Sequence, residues 1–166
     1  MRLMQMMAGQ AHGGAEAFFE RLAIALQQAG ECQRLVIREN GARAGRLGAA
    51  GCSVAEVPFG GRLDRRTPDL LRREIAEFAP DIVLTWMNRA SAACPSGGFV
   101  QIGRLGGYYD LKYYRTCREL VANTRSIVDY VVASGWPARR VHYLPNFSAE
   151  SIWADQPQLR AELATP

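Results

Sequence analysis

Three short stretches of the chain hold the residues best suited to chemistry. The first, Gly9-Gln10-Ala11-His12-Gly13-Gly14, runs directly into a helical pattern. Glycines at the mouth of a helix remove side chains where free backbone N–H groups and the positive end of the helix dipole converge, an arrangement that receives an anion such as a diphosphate. The same pair suits a tight turn with positive φ, and spacing alone leaves both readings open. His12 either hydrogen-bonds a ligand hydroxyl or caps the turn. Gly9 and Gly13 are four apart rather than in a GxGxxG array, and only Glu39 comes near the ribose position, so a dinucleotide site is disfavoured. The P-loop pattern, a GxSxG elbow and a Ser-His-acid set are all absent from the sequence.

The second stretch centres on Arg104, read as part of a glycine-rich loop with Gly106 and Gly107, followed by Tyr108, Tyr109, Asp110, Lys112, Tyr113, Tyr114 and Arg115. Aromatic planes beside cations suit sugar stacking, phosphate binding or a membrane interface, whereas Tyr113 and Tyr114 read better as the packed face of an amphipathic helix. The third is Trp86-Met87-Asn88-Arg89, a polar and aromatic exit from an apolar run; Asn123-Thr124 and Pro145-Asn146-Phe147 are further exits of this kind. Arg62, Arg65, Arg66, Arg72 and Arg73 form the densest basic stretch, but Asp64, Asp69, Glu74 and Glu77 largely cancel it, as expected of a solvated face. His142 sits within a strand pattern and reads as structural. Cys32, Cys52, Cys94 and Cys117 show no metal-ligand spacing, so no metal is expected.

These loops need a scaffold, and the hydrophobic periodicity supplies one. Strand patterns at 2–8, 34–38, 53–59, 81–86, 98–102, 120–123 and 141–144 alternate with helical patterns at 15–29, 42–50, 68–78 and beyond Thr124. Thr67 and Pro68 suit the N-cap and first position of the third helix, and Gly103 to Gly107 reads as a mobile loop. Seven strands in this alternation imply an α/β fold, a Rossmann-like doubly wound parallel sheet. Ligands of such sheets bind outside the carboxyl ends of the strands, where all the loops named above emerge. The chain has 166 residues, 48% hydrophobic and 22% charged, as expected of one globular domain. A net charge of +4 leaves an anionic partner open without choosing one. No apolar run reaches the length of a membrane span, so a cytoplasmic protein with reduced thiols is expected.

The loops in their order resemble the N-terminal, acceptor-binding domain of GT-B fold glycosyltransferases of family 4. The resemblance is carried by Gly13-Gly14-Ala15-Glu16 before a helix ending in Ala29-Gly30, then Pro80-Asp81-Ile82-Val83, Val121-Ala122-Asn123-Thr124, Ser134-Gly135-Trp136-Pro137 and Tyr143-Leu144-Pro145-Asn146. It implies a retaining hexosyltransferase that needs neither cofactor nor metal and uses a nucleotide sugar as donor. The acceptor would be a glycan or glycolipid of the cell envelope, such as lipopolysaccharide; peripheral contact with the inner membrane fits this, and no nucleic acid is implied.

Residues 1–150 would form the acceptor domain, and 151–166 would lead toward a C-terminal donor domain outside this sequence, so the chain alone is expected not to turn over. Gly13 and Gly14 would approach the donor diphosphate. The acceptor would lie among His12, Trp86, Asn88, Arg89, Gly106, Gly107, Tyr108, Tyr109, Asn123 and Asn146, with Arg104 in a catalytic role. Many relatives have histidine where this chain has Arg104, and often where it has Trp86 and Asn88. The alternatives are a non-catalytic module that binds glycan or phosphate, and a nucleotide-dependent epimerase or dehydrogenase.

Overall fold

The computed structural model describes residues 1–60 and 64–147. Seven parallel strands form one sheet: β1 (Arg2–Met7), β2 (Cys32–Arg38), β3 (Val54–Val57), β4 (Ile82–Trp86), β5 (Val100–Leu105), β6 (Glu119–Ala122) and β7 (Val141–Tyr143). Their order is β3-β2-β1-β4-β5-β6-β7, so the winding reverses between β1 and β4. Five helices connect them: α1 (Gly14–Gln28), α2 (Gly41–Ala49), α3 (Arg66–Phe78), α4 (Met87–Ala93) and α5 (Arg125–Ala133).

Alternation along the central strand divides the core. Met4 and Met6 of β1 pack with Val36, Val83, Leu71 and Phe78, the last two from α3. Met7 packs in a second cluster with Leu35, Ile37, Trp86 and the α1 residues Phe18, Phe19 and Ala23. Successive strand side chains point to opposite faces, so helices cover both. A third cluster joins Ile127 and Val131 of α5 to Leu105, Leu120, Ala122 and Val141.

The structure corrects several local expectations. β5 does not stop at Ile102; it runs to Leu105, so Gly103, Arg104 and Leu105 are buried strand residues rather than a mobile loop. Gly103 is needed for packing, since a Cβ there would lie 2.6 Å from Tyr114 Cδ1 and 3.0 Å from Cys117 Sγ. The tyrosine segment forms a 3₁₀ turn at Leu111–Tyr114 instead of an amphipathic helix, with Tyr114 buried and Tyr113 exposed. A helix, α4, starts at once after Trp86, where only a loop was expected.

α3 begins at Arg66, and Asp64 caps it in place of Thr67, accepting from the N–H groups of Arg66 and Thr67 and from the Thr67 hydroxyl. Arg65, Arg66, Arg72 and Arg73 are exposed, as a solvated face requires; Arg62 lies outside the described residues. No described helix is long and apolar enough to cross a membrane.

Gly103→Ala should destabilise the chain by about 1–3 kcal/mol, the usual cost of overpacking, in a urea unfolding curve. A second check concerns Asp64, whose carboxyl is held down to about 2 by the Thr67 hydroxyl, the Thr67 N–H and the Gly60 N–H. A carboxyl depressed on folding contributes stability above its ordinary value of 3.8 and loses it as the pH falls toward 2. Asp64→Ala should therefore lower Tm at pH 7, and the gap from the parent should close over that acidic interval.

Candidate functional site

Where the winding reverses, the carboxyl ends of β1, β4, β5, β6 and β7 open onto a cleft of about 300 Å³. Its lining comes from five segments: Gly14, Ala15 and Phe18 of α1, Trp86 and Met87 at the β4–α4 junction, Arg104 and Gly106 at the end of β5, Asn123 after β6 and Asn146 after β7.

The α1 wall begins with an uncapped helix end. Gly13 is the N-cap residue and contributes no side-chain hydrogen bond, and the space where Gly14 would carry a Cβ is open. None of Gly9, Gly13 and Gly14 lies in the left-handed region, Gly13 at φ 164° being extended, which removes the tight-turn explanation of the diglycine. Gly9 and Gly13 are instead required by Glu16. This buried acid turns back under the loop and accepts from the Gln10 N–H at 2.7 Å. A Cβ on Gly9 or Gly13 would lie 2.3 or 2.2 Å from its carboxylate oxygens. The acid occupies one flank of the helix end; Gly14 and Ala15 face the cleft on the other. From outside, buried Arg43 holds the loop, donating to the Gln10 and Ala11 carbonyls at 3.0 Å each while pairing with Glu20 at 2.9 Å.

Arg104 dominates the cleft chemically. It is 4% exposed, and one terminal nitrogen, Nη2, donates to the Asn146 side-chain oxygen at 2.7 Å and to the Leu144 carbonyl at 3.2 Å. Its guanidinium lies 4.8 Å from the Phe18 ring centre and 5.2 Å from that of Trp86. Among the described residues no carboxylate pairs with it, and desolvation lowers its pKa to about 10. Buried cations ordinarily have acid partners, because removing the charge from water costs several kcal/mol.

Trp86 forms the floor through a buried polar chain. Its indole N–H donates to Gln5 Oε1 at 3.1 Å, the Gln5 amide donates to Gln33 Oε1 at 3.1 Å, and the Gln33 amide donates to the Ala23 carbonyl at 2.6 Å. Trp86, 2% exposed, therefore has its indole N–H committed to Gln5 and its ring beneath the Arg104 guanidinium, where it backs that cation. Met87 follows at φ 62°, a left-handed conformation rare outside glycine and costly enough to need support from its surroundings. Asn123 Oδ1 is sealed without a partner.

Of the residues singled out in the sequence, Gly14, Trp86, Arg104, Gly106, Asn123 and Asn146 come together here. Gly13 and exposed His12 border a neighbouring depression beside Glu16. Asn88 accepts from the Arg89 N–H, and Arg89 faces a separate hollow formed with Phe59, Asp64 and Thr67. Gly107, Tyr108 and Tyr109 stay outside the lining; Tyr108 packs edge-on against Tyr130, whose hydroxyl donates to the Tyr109 carbonyl. Ala15, Phe18 and Met87 were missed. Phe18 was legible as one turn beyond Gly14 but read as core, and Met87 lay within the exit singled out after Trp86 without being read as a ligand residue. His142 is exposed at the edge strand, 3.0 Å from Glu119. Among the described residues no cluster of His, Cys, Asp or Glu could hold a metal.

No established family profile matches the chain. Two curated proteins of Rhizobium meliloti strain 1021 do: the lipopolysaccharide core biosynthesis glycosyltransferases LpsD, 34% identical over 161 residues, and LpsE, 35% identical over 165. Over that aligned part the chain is similar to lipopolysaccharide core glycosyltransferases. Each match takes in 93% of this chain and 45% of the relative, so the chain spans about half the length of the proteins it matches. The fold is that of one half of a GT-B molecule. Anabaena Alr3699/HepE, solved with UDP, superposes with a TM-score of 0.71 at 14% identity, over 98% of this chain and 50% of that one. The UDP-GlcNAc 2-epimerase of Neisseria meningitidis superposes at 0.66 with 13% identity, over 88% of this chain and 47% of the epimerase.

The buried amide chain is open to test. Gln5→Leu strips the Trp86 indole N–H and the Gln33 oxygen of their partners, and each orphaned group costs about 1–3 kcal/mol. Denaturant unfolding should show a loss of that order, accompanied by a changed Trp86 fluorescence.

Proposed function

We propose that this chain is the acceptor-binding half of a retaining, family 4-like glycosyltransferase that moves a hexosyl unit from a nucleotide sugar onto a cell-envelope glycan or glycolipid, in the synthesis of lipopolysaccharide core. The observation that carries the reading is the cleft itself. A guanidinium backed by aromatic rings, asparagine side chains for hydroxyls and an uncapped helix end converge at the carboxyl edge of a sheet, in a chain about one-third identical to two core transferases. On this reading residues 1–150 form the acceptor domain. The expected segment 151–166, outside the described residues, leads toward a donor-binding domain.

Retention of configuration demands a neutralised leaving diphosphate more than a strong protein base. The first-turn N–H groups of α1 at Gly13-Gly14 would face that diphosphate and supply preorganised positive potential as charge develops. No metal is required in this scheme. Asn123 and Asn146 would donate to the acceptor's hydroxyls through their amide N–H groups, while Phe18 and Trp86 would back the wall beneath Arg104.

Epimerases share the fold, so a second reading is an enzyme that inverts a nucleotide sugar without an acceptor. Joining the chain to the half of LpsE that it does not match, then supplying nucleotide sugars with and without core acceptor, separates the two. Transfer that needs acceptor, retains the anomeric configuration by NMR and survives EDTA is the expected outcome; an epimer formed without acceptor overturns it. In the same assay Asn146→Ala should lower kcat/KM by about tenfold, equivalent to about 1.4 kcal/mol, mostly through KM.

A further inference from the structure

Arg104 is more deeply buried than a hydroxyl-binding arginine needs to be, and the described residues supply no acid to match it. Only Nη2 is engaged; Nε and Nη1 donate to no described acceptor. Arg104 lines the cleft, and neither nitrogen is among the sealed, unpartnered atoms of the described residues. On the opposite wall the uncapped first turn of α1 adds positive potential from Gly14 and Ala15. Water entering the cleft would hydrate whatever part of the guanidinium it reaches. A neutral sugar filling the space would displace the water and offer hydroxyl dipoles to an unpaired charge, which repays only part of the desolvation cost. An anionic group repays it, because a guanidinium edge matches a carboxylate or phosphate with paired, charge-assisted hydrogen bonds.

We propose that the cleft is built for an acidic acceptor, in which a carboxylate or phosphate on the sugar sits against the Nε/Nη1 edge of Arg104, whose guanidinium is backed by Phe18 and Trp86. This rests on the acceptor reading of the cleft and adds the charge of its ligand. Asn146 then acts as a positioning residue: its 2.7 Å bond to Nη2 turns the other edge of the guanidinium toward the ligand.

The test is a set of NMR-monitored titrations of the 166-residue chain with D-glucose, D-glucuronate, glucose 6-phosphate and pyrophosphate. Glucuronate or glucose 6-phosphate should bind at least tenfold more tightly than glucose, and Arg104→Gln should abolish the difference while melting no lower than the parent, since it deletes an uncompensated buried charge. Arg104→Lys should keep only part of the preference, because a point charge replaces the planar fork. Equal binding of glucose and its acids overturns the anionic assignment and leaves the transferase reading standing. So does a preference that survives in Arg104→Gln. Pyrophosphate binding that depends on Arg104, with no preference between the sugars, assigns the charge to the donor and overturns the acceptor proposal. Failure of every sugar to bind overturns both. The ratio measured in the parent chain decides the matter even if a variant does not fold.

Discussion

The parallel ladder between β1 and β4 is the constraint on which the cleft depends. Met7 lies beside Trp86 at its carboxyl end, and the winding departs in opposite directions from these two strands. Their exit segments must therefore separate: the glycine loop rises into α1 on one face of the sheet, and Met87 turns sharply into α4 on the other. That divergence creates the space, and the next three strands, β5 to β7, each add one polar residue along its far wall. Parallel ladders buried on both faces tolerate no slip, because a shift of one residue would exchange the two cores and turn Gln5 away from the indole it holds.

Within that frame the charges are arranged asymmetrically. Glu16 lies under the glycine loop and Glu20 ties Arg43 to the outer side of α1, so acids near the loop are already committed to local N–H groups and arginines. Arg104 stands across the cleft with aromatic rings where an acid partner would otherwise be. The fold keeps a buried positive charge whose removal should raise its stability, a pattern expected where a ligand rather than the protein completes the electrostatics.

The alternating pattern of strands and helices made the sheet legible, because seven short apolar runs separated by helical segments admit few other arrangements. The carboxyl-edge rule then pointed to loops of which several line the cleft. What escaped was tertiary in origin. Gly103 looked like a breaker, yet it extends β5 because Tyr114 needs the room. α4 escaped because it has seven residues and no capping side chain. Aspartate, threonine and proline all suit a helix start, and the capping oxygens belong to Asp64, which also accepts from the Gly60 N–H. At the cleft, residue type found the asparagines and Arg104 but placed Tyr108 and Tyr109 inside, when Tyr130 holds them at the rim.

The Glu16 carboxylate has a consequence for how this loop can vary. It fills the volume that a side chain at either Gly9 or Gly13 would need, so three positions separated along the chain behave as one unit of substitution. Shortening Glu16 would release both glycines at once and leave the Gln10 N–H seeking water or a ligand; enlarging either glycine first would expel the acid toward the surface. A larger residue at position 9 or 13 is thus expected only in relatives that also differ at position 16, as a correlated change in sequence rather than a single replacement.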